Sequence, residues 1–228
     1  NMPVRITFGG YSWRLIRRVL TIGFTPFIII AMDNVMIITM NAILQKYGGA
    51  ERGDLLITCA TIAQSFMLVV TMPLGGITSG TQAVLAYNFG AGKTDRVKSA
   101  QKYIFILAAA YTALLFVLAR TIGVLFVRLF TADPIVAAEA LRAIRIFTLA
   151  IIPLAFQYEI VDGFTGLGQV QVSLPLSFFR KCAYFVSLFL LPAMFGAEAA
   201  FYAEPVSDIL GPIASAIVYL TSMKKVLA

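Results

Sequence analysis

Residues 73–97 read PLGGITSGTQAVLAYNFGAGKTDRV, and this stretch decides how the rest of the chain is interpreted. It begins as an apolar helix in which Pro73 removes a backbone donor, while Gly76 and Gly80 leave a surface without side chains. These three residues predict a helix that bends and lets a neighbouring helix approach closely. A basic cluster follows the last glycines: Lys93, Arg96, Lys98 and Lys102. Such clusters stay on the cytoplasmic side of a bilayer, so the stretch predicts a membrane helix and its orientation.

The letters FGAGKT in the same stretch invite comparison with a phosphate-binding loop, in which Lys93 would contact a nucleotide. Such a loop needs a glycine five positions before its Gly-Lys pair, and Tyr87 occupies that position here. It also follows a strand, whereas this stretch follows a long apolar helix. The spacing therefore argues against nucleotide binding.

The composition is that of an integral membrane protein. Of the 228 residues, 60% are hydrophobic and only 13% are charged, and the mean hydropathy is +0.88. A soluble domain of this size needs more charge on its surface. The net charge of +7 could suggest nucleic acid, but the basic residues form short clusters beside apolar runs, so they report topology and we predict no nucleic-acid partner.

Apolar runs long enough to cross a bilayer core of about 30 Å predict six membrane helices in an all-α protein. We expect a cytoplasmic basic leader over residues 1–18 and a six-helix lobe over residues 19–228. The predicted helices cover residues 19–44, 55–88, 103–119, 137–167, 171–192 and 199–222. On this assignment twelve of the 18 Lys and Arg lie on the inner side, which places both termini in the cytoplasm.

Asp33 lies near the middle of the first predicted helix, where a charged side chain costs roughly 2.5 to 3.5 kcal/mol on insertion scales. Asn34 and Asn41 follow within roughly one third of the helix circumference. We predict a cation or proton site at Asp33. For the two asparagines, hydrogen bonding between helices and a role in a polar cleft are equally acceptable readings. Gln82 and Asn88 are further candidates for the polar lining.

The fourth predicted helix holds Glu159 and Asp162, one turn apart. Two neighbouring carboxylates repel when both are ionised, so one should keep a proton or share a cation. This is what a proton- or sodium-coupled transporter requires. The competing reading pairs one acid with a base: Arg142, Arg145 or Lys181.

The sequence contains little that could run enzyme chemistry. It has no histidine, and its two cysteines, Cys59 and Cys182, lie far apart in apolar segments, where we expect buried, inert thiols. Without a histidine or a recognisable nucleophile and base, we predict that the protein is not an enzyme and has no cofactor or resident metal.

The stretch at 73–97 resembles the signature of the multidrug and toxic compound extrusion (MATE) family. Further segments match that family in order and approximate spacing: YGG at 47–49, LFTADPIV at 129–136, GLGQ at 166–169, FFR at 178–180 and AEPVSD at 203–208. The resemblance covers all six predicted helices.

This resemblance implies a secondary antiporter that exports small cationic amphipathic compounds in exchange for protons or sodium. Family members have twelve helices in two lobes around a central cleft, and this chain resembles the second, C-terminal lobe. Asp33 and Asp162 lie where sodium-coupled members carry acids, so Na+ could bind at either, and Glu159 is an alternative match on the fourth helix. The implied location is a bacterial inner membrane.

One lobe cannot alternate access alone, so the chain needs a partner besides the lipid bilayer. The partner would be an N-terminal six-helix lobe or a second copy of this chain. Two other readings remain open: a membrane protein that binds or assembles without transporting, and a lipid or glycolipid exporter of a related fold.

Overall fold

The structure is a computed structural model that describes residues 12–226. Helices make up all the regular structure of that part of the chain, which confirms the predicted all-α class. The α-helices are α1 Trp13–Gly80, α2 Gln82–Gly90, α3 Thr94–Thr121, α4 Gly123–Val127, α5 Pro134–Phe147, α6 Ile151–Gly166, α7 Val170–Phe195 and α8 Ala203–Val226. Two 3-10 helices, Thr148–Ala150 and Ala197–Tyr202, precede α6 and α8.

Helix α1 contains a break at Gly49, whose φ of 72° and ψ of −171° are not helical. Glycine adopts a positive φ without the steric penalty that a Cβ would bring. The break falls in the segment QKYGGAERGD, which the sequence assigns to a loop between the first two membrane helices. Helix α1 is therefore two helices that meet at one residue.

Four stretches of the described residues are long and apolar enough to cross a membrane: Ala31–Gly90, Thr94–Thr121, Val170–Phe195 and Ala197–Met223. The first holds 60 residues, about 90 Å of helix at 1.5 Å per residue, which is enough for two passes across a core of about 30 Å. Helices α5 and α6 follow each other and are separated only by the 3-10 helix Thr148–Ala150.

The 3-10 turn between α5 and α6 has a local cause in Pro153. Proline has no N–H, so the carbonyl four residues earlier, at Leu149, loses its helical partner. Leu149 lies in the middle of Thr148–Ala150, where the helix departs from α geometry. At the start of α5, the Asp133 carboxylate accepts hydrogen bonds from the backbone N–H groups of Ile135 and Val136, at 2.7 and 3.3 Å.

The chain divides into two compact units, residues 1–38 and 39–228. In the first unit the described residues belong to α1, where Trp13, Leu20 and Phe27 are exposed. In the second unit, side chains from α2, α3, α6, α7 and α8 form one apolar core: Leu85, Val97, Ile104, Ile160, Phe164, Leu167, Leu176 and Met223. Large apolar side chains also cover the outside of these helices, among them Leu114, Val186, Phe189 and Ile217. An apolar exterior of this kind suits contact with lipid.

The helix ends differ from the predicted ranges in ways that reflect the membrane boundary. Helix α3 begins at Thr94, ahead of the predicted start at 103, because a helix continues through the interface after its residues become charged. The predicted second helix is interrupted at Thr81, next to Gly80. Cys59 is buried, but Cys182 is exposed, so the expectation of two buried thiols was wrong for the second. Most of the predicted leader, residues 1–11, lies outside the described residues.

Candidate functional site

Helix α6 carries both candidate acids of the second unit. Glu159 and Asp162 are three residues apart, so their side chains leave neighbouring positions on one side of the helix. Glu159 is fully buried, with an exposed fraction of 0%, and Asp162 is half-buried. Each acid nevertheless has a different set of neighbours.

The Asp162 carboxylate is held by two donors from the stretch at 73–97. The Thr78 hydroxyl donates to Oδ2, and the Gln82 amide nitrogen donates to Oδ1 at 2.9 Å. Thr78 lies at the end of α1 and Gln82 at the start of α2, so the turn at Thr81 presents both groups to α6. Close packing fixes this arrangement, since a Cβ at Gly166 would lie 3.2 Å from the Gln82 Cα.

The Glu159 carboxylate has no such donors. Neither of its oxygens has a hydrogen-bond partner among the described residues, although both are buried. Beside it lies Gly163, where an added Cβ would be 3.7 Å from Glu159 Oε1 and 3.0 Å from Gln101 Nε2. The amide nitrogen of Gln101 is also buried and unpartnered. The glutamate and the glutamine therefore line the same space next to Gly163.

The other end of the Gln101 amide contacts α8. The Tyr219 hydroxyl donates to Gln101 Oε1 at 3.3 Å, and the Tyr219 ring packs against Phe105 and Phe164 with centroid distances of 6.0 and 6.2 Å. Gln101 is 1% exposed. A polar group at this depth is costly to bury unless it forms hydrogen bonds, so the amide and the carboxyl together mark a site.

Sequence reasoning missed Gln101 and Tyr219. The predicted third helix began at residue 103, so Gln101 fell in the basic segment before it. One signal was present: Gln101 lies seven residues after Thr94 and four after the buried Val97, on the inner face of α3. No comparable signal distinguishes Tyr219 from the other tyrosines.

The other predicted polar residues are placed as follows. Asp33 and Asn34 belong to the first unit, where Asp33 is half-buried and Asn34 is exposed. Asn41 lies in the second unit with a buried Oδ1 that lacks a hydrogen-bond partner within the described chain. Asn88 donates to the carbonyl of Val84 at 2.8 Å, a contact local to α2.

Arg142, one of the three bases named as rival partners for the α6 acids, has partners of its own. Arg142 pairs with Glu198 at 2.9 Å and with Glu139 at 3.8 Å, and Arg52 also pairs with Glu198. Those ion pairs are exposed. A separate ion pair, which is buried, joins Arg180 to Asp208 at 3.0 Å, and Asp208 is 0% exposed.

The glycine surface predicted for close packing is open within the chain. A Cβ added at Gly76 or Gly80 would meet no heavy atom of the described residues within 4 Å. Pro73 is exposed. A close approach is found instead between the end of α6 and the start of α2, where Gly166 meets Gln82.

Comparison with known proteins relates the chain to one family. The family model described as MatE matches residues 28–202. Among curated proteins, the chain is similar to the multidrug export protein MepA of Staphylococcus haemolyticus (strain JCSC1435), with 23% identity over 210 residues. That match covers 90% of this chain and 44% of the relative.

Solved structures with the same fold include two conformations of a multidrug resistance MATE family transporter of the MOP superfamily. The inward-facing conformation matches with a TM-score of 0.84 and 15% identity, covering 95% of this chain and 50% of that one. The outward-facing conformation matches with a TM-score of 0.83 and 16% identity, covering 98% and 50%. The chain thus spans about half the length of the proteins it matches.

Proposed function

The chain belongs to the MatE family, and from that premise we propose that it forms one lobe of a secondary multidrug antiporter. It would export small cationic amphipathic compounds in exchange for protons or sodium. The protein would lie in a bacterial inner membrane with both termini in the cytoplasm. Four exposed bases at the start of α3 support that orientation: Lys93, Arg96, Lys98 and Lys102.

The observation that carries this proposal is the pair of carboxyl groups on α6. Glu159 and Asp162 lie within an apolar lobe, and no arginine or lysine forms a salt bridge with either one in the described part of the chain. Acids inside a membrane are costly, and they typically mark ion pathways and proton relays. A buried carboxyl without a cationic partner can serve such a pathway because a proton or cation can come and go.

Asp33 would be a further coupling acid, and Asn34 and Asn41 would be polar residues along the substrate pathway. The support for this is chemical: Asp33 is a half-buried acid on a long apolar helix. Half-buried Asn41 has a buried amide oxygen without a hydrogen-bond partner among the described residues. An amide oxygen of this kind can accept a hydrogen bond from an ammonium group or coordinate a cation.

A second lobe is needed for transport, because alternating access requires two bodies that rock around a central site. The fold of this chain matches both an inward-facing and an outward-facing structure, each of which is about twice as long as this chain. The open surface at Gly76 and Gly80 offers a face for the partner. That partner would be a first lobe or a second copy of this chain.

The test is efflux of a fluorescent cationic dye from cells that express this chain alone or with an N-terminal lobe of the family. The variants are Asp33→Asn, Glu159→Gln and Asp162→Asn, with Asp54→Asn as the matched control because Asp54 is exposed next to the break in α1. We expect efflux with a partner, retained in the control and lost in the three site variants. Efflux by the chain alone would favour a second copy as the partner.

Absence of efflux in every combination, with membrane insertion verified, would reject the transport proposal. The chain would then be a membrane protein that binds or assembles without transporting. Movement of labelled lipid in the same cells, without dye efflux, would instead favour a lipid exporter.

A further inference from the structure

The buried polar residues around Glu159 come from three helices that are far apart in sequence. Glu159 lies on α6, Gln101 on α3 and Tyr219 on α8. The Tyr219 hydroxyl donates to one end of the Gln101 amide, and the other end, Nε2, faces the space beside Gly163 that Glu159 Oε1 also lines. Both Glu159 oxygens and Gln101 Nε2 are buried without hydrogen-bond partners in the described chain.

The chemistry of an amide suits both protonation states of a carboxyl group. The nitrogen end is a donor and the oxygen end is an acceptor. An ionised carboxylate only accepts hydrogen bonds, so it is served by the nitrogen. A protonated carboxyl group has an O–H to donate, so it is served by the oxygen. Rotation of the Gln101 amide by half a turn therefore replaces the nitrogen donor that faces Glu159 with the oxygen acceptor.

Tyrosine at the far end of the amide tolerates the same half-turn. In the structure the Tyr219 O–H donates to Gln101 Oε1. After a half-turn the amide nitrogen would face the tyrosine, whose oxygen can accept. Neither orientation leaves the amide without a partner on α8.

We propose that Glu159, Gln101 and Tyr219 form a proton site in which the Gln101 amide turns over as Glu159 gains or loses its proton. The Glu159 carboxylate takes a proton from a hydronium ion, leaving water, and its new O–H donates to Gln101 Oε1. The nitrogen end then donates to the Tyr219 oxygen. Protonation of Glu159 on α6 therefore reverses the direction of the hydrogen bond between Gln101 and Tyr219 on α8. This inference rests on the proposed function and assigns the coupling proton to Glu159 rather than to Asp162.

The surroundings of Glu159 favour a proton over a metal cation. The titratable groups that face it are Asp162 on its own helix and Tyr219 on α8, while no charged side chain of α2, α3 or α7 acts on this carboxyl. Gln101 lies beside the same glycine, Gly163, and α3 and α6 also carry the apolar core side chains Ile104, Ile160 and Phe164. Hard cations bind clusters of oxygen ligands, and the described residues hold no group of three or more acids, histidines or cysteines that could bind a metal ion.

Gly163 provides the room for the amide to turn. A Cβ there would lie 3.0 Å from Gln101 Nε2, tighter than ordinary van der Waals contact. We expect Gly163→Ala to hold the amide in one orientation.

The experiment is an infrared titration of the purified chain of 228 residues in lipid nanodiscs, which follows the C=O stretch of protonated carboxyl groups as pH is lowered. We expect a band that is lost in Glu159→Gln and kept in Asp162→Asn. Gln101→Met should move this band to higher wavenumber, because the acid loses its hydrogen-bond partner. The matched variant Gln82→Met, which removes the amide beside Asp162, should leave it in place.

Glu159→Asp guards against misfolding of the glutamine variant, since it keeps a carboxyl group and should displace the band without abolishing it. A band that survives Glu159→Gln unchanged would overturn the inference. So would equal effects of Gln101→Met and Gln82→Met, or suppression of the band by sodium chloride but not choline chloride at constant pH.

The titration separates this inference from the proposed function because it needs no transport. An intact Glu159 band in a chain that never supports dye efflux would reject the transport proposal alone. Efflux without any band assigned to Glu159 would reject the proton site alone.

Discussion

Asp162 and Glu159 lie three residues apart on the same helix, yet the protein treats them differently. Asp162 accepts hydrogen bonds from Thr78 and Gln82, whereas Glu159 is buried deeper and accepts none among the described residues. Hydrogen bonds to a charged group contribute about 1.5–3 kcal/mol each, so the first environment is built to hold a carboxylate. The second holds a carboxyl group whose charge nothing nearby offsets.

This contrast indicates that Asp162 and Glu159 have different roles. A carboxylate that accepts two fixed hydrogen bonds resists protonation, because the protonated group is a weaker acceptor for those donors. A carboxyl group beside an amide that can turn over loses less when it changes state. On this account Asp162 shapes the site electrostatically and Glu159 exchanges the ion.

The contrast can be tested at another buried acid, Asp208, by removing its cationic partner so that it becomes unpaired as Glu159 is. Asp208 is paired with Arg180 at 3.0 Å and is 0% exposed. Arg180→Met removes that cation, and breaking a buried pair in this way costs about 3–5 kcal/mol. We expect the largest loss of thermal stability of any variant considered, measured by thermal denaturation in detergent. The control Arg142→Met, at an exposed ion pair, should cost no more than about 1 kcal/mol. Equal losses would show that Asp208 does not depend on its partner.

The second prediction compares the two glutamines directly. Gln82→Met removes a donor 2.9 Å from the Asp162 carboxylate, which should cost about 1.5–3 kcal/mol and lower the melting temperature by roughly 3–12 °C. Gln101→Met removes only the longer contact to Tyr219, so its cost should stay below about 1 kcal/mol. Both are measured by the same thermal denaturation. A larger loss for Gln101→Met would mean that Glu159 depends on a donor after all.

The smallest expected effect separates two glycines. Gly76→Ala meets no neighbour in the described chain and should stabilise the helix by up to about 1 kcal/mol, since alanine favours helix. Gly163→Ala places a Cβ 3.0 Å from the Gln101 amide, which should cancel that gain. Denaturation midpoints of the two variants decide the point. If Gly163→Ala is as stabilising as Gly76→Ala, the space beside Glu159 is not restricted.

Local pattern was sufficient to predict the helical class and the positions of the α6 acids. Apolar runs reveal membrane helices because the bilayer demands a minimum length, and the spacing of Glu159 and Asp162 places them on one side of a helix. Gln82 was predicted only as a candidate for the polar lining, from its place in the stretch at residues 73–97, and its hydrogen bond to Asp162 was not predicted. The break in α1 at Gly49 falls in the predicted loop, although it takes only one residue of non-helical backbone.

What the sequence could not supply was the choice of partners between helices. Gln101 meets Tyr219 across 118 positions, and Gln82 meets Asp162 across 80. No local pattern encodes such contacts, since they depend on how whole helices pack. For the same reason the sequence could not decide between Glu159 and Asp162. It also led to the prediction that Cys182 is buried, whereas the structure exposes this residue.

The most direct test of the account is proton-driven dye movement in liposomes that contain this chain with an N-terminal lobe of the family. A pH gradient is imposed across the bilayer, and wild type is compared with Glu159→Gln and with Asp54→Asn. We expect gradient-driven movement for wild type and for Asp54→Asn, and loss of the response to the gradient in Glu159→Gln. A Glu159→Gln protein that responds to the gradient as wild type does would contradict it.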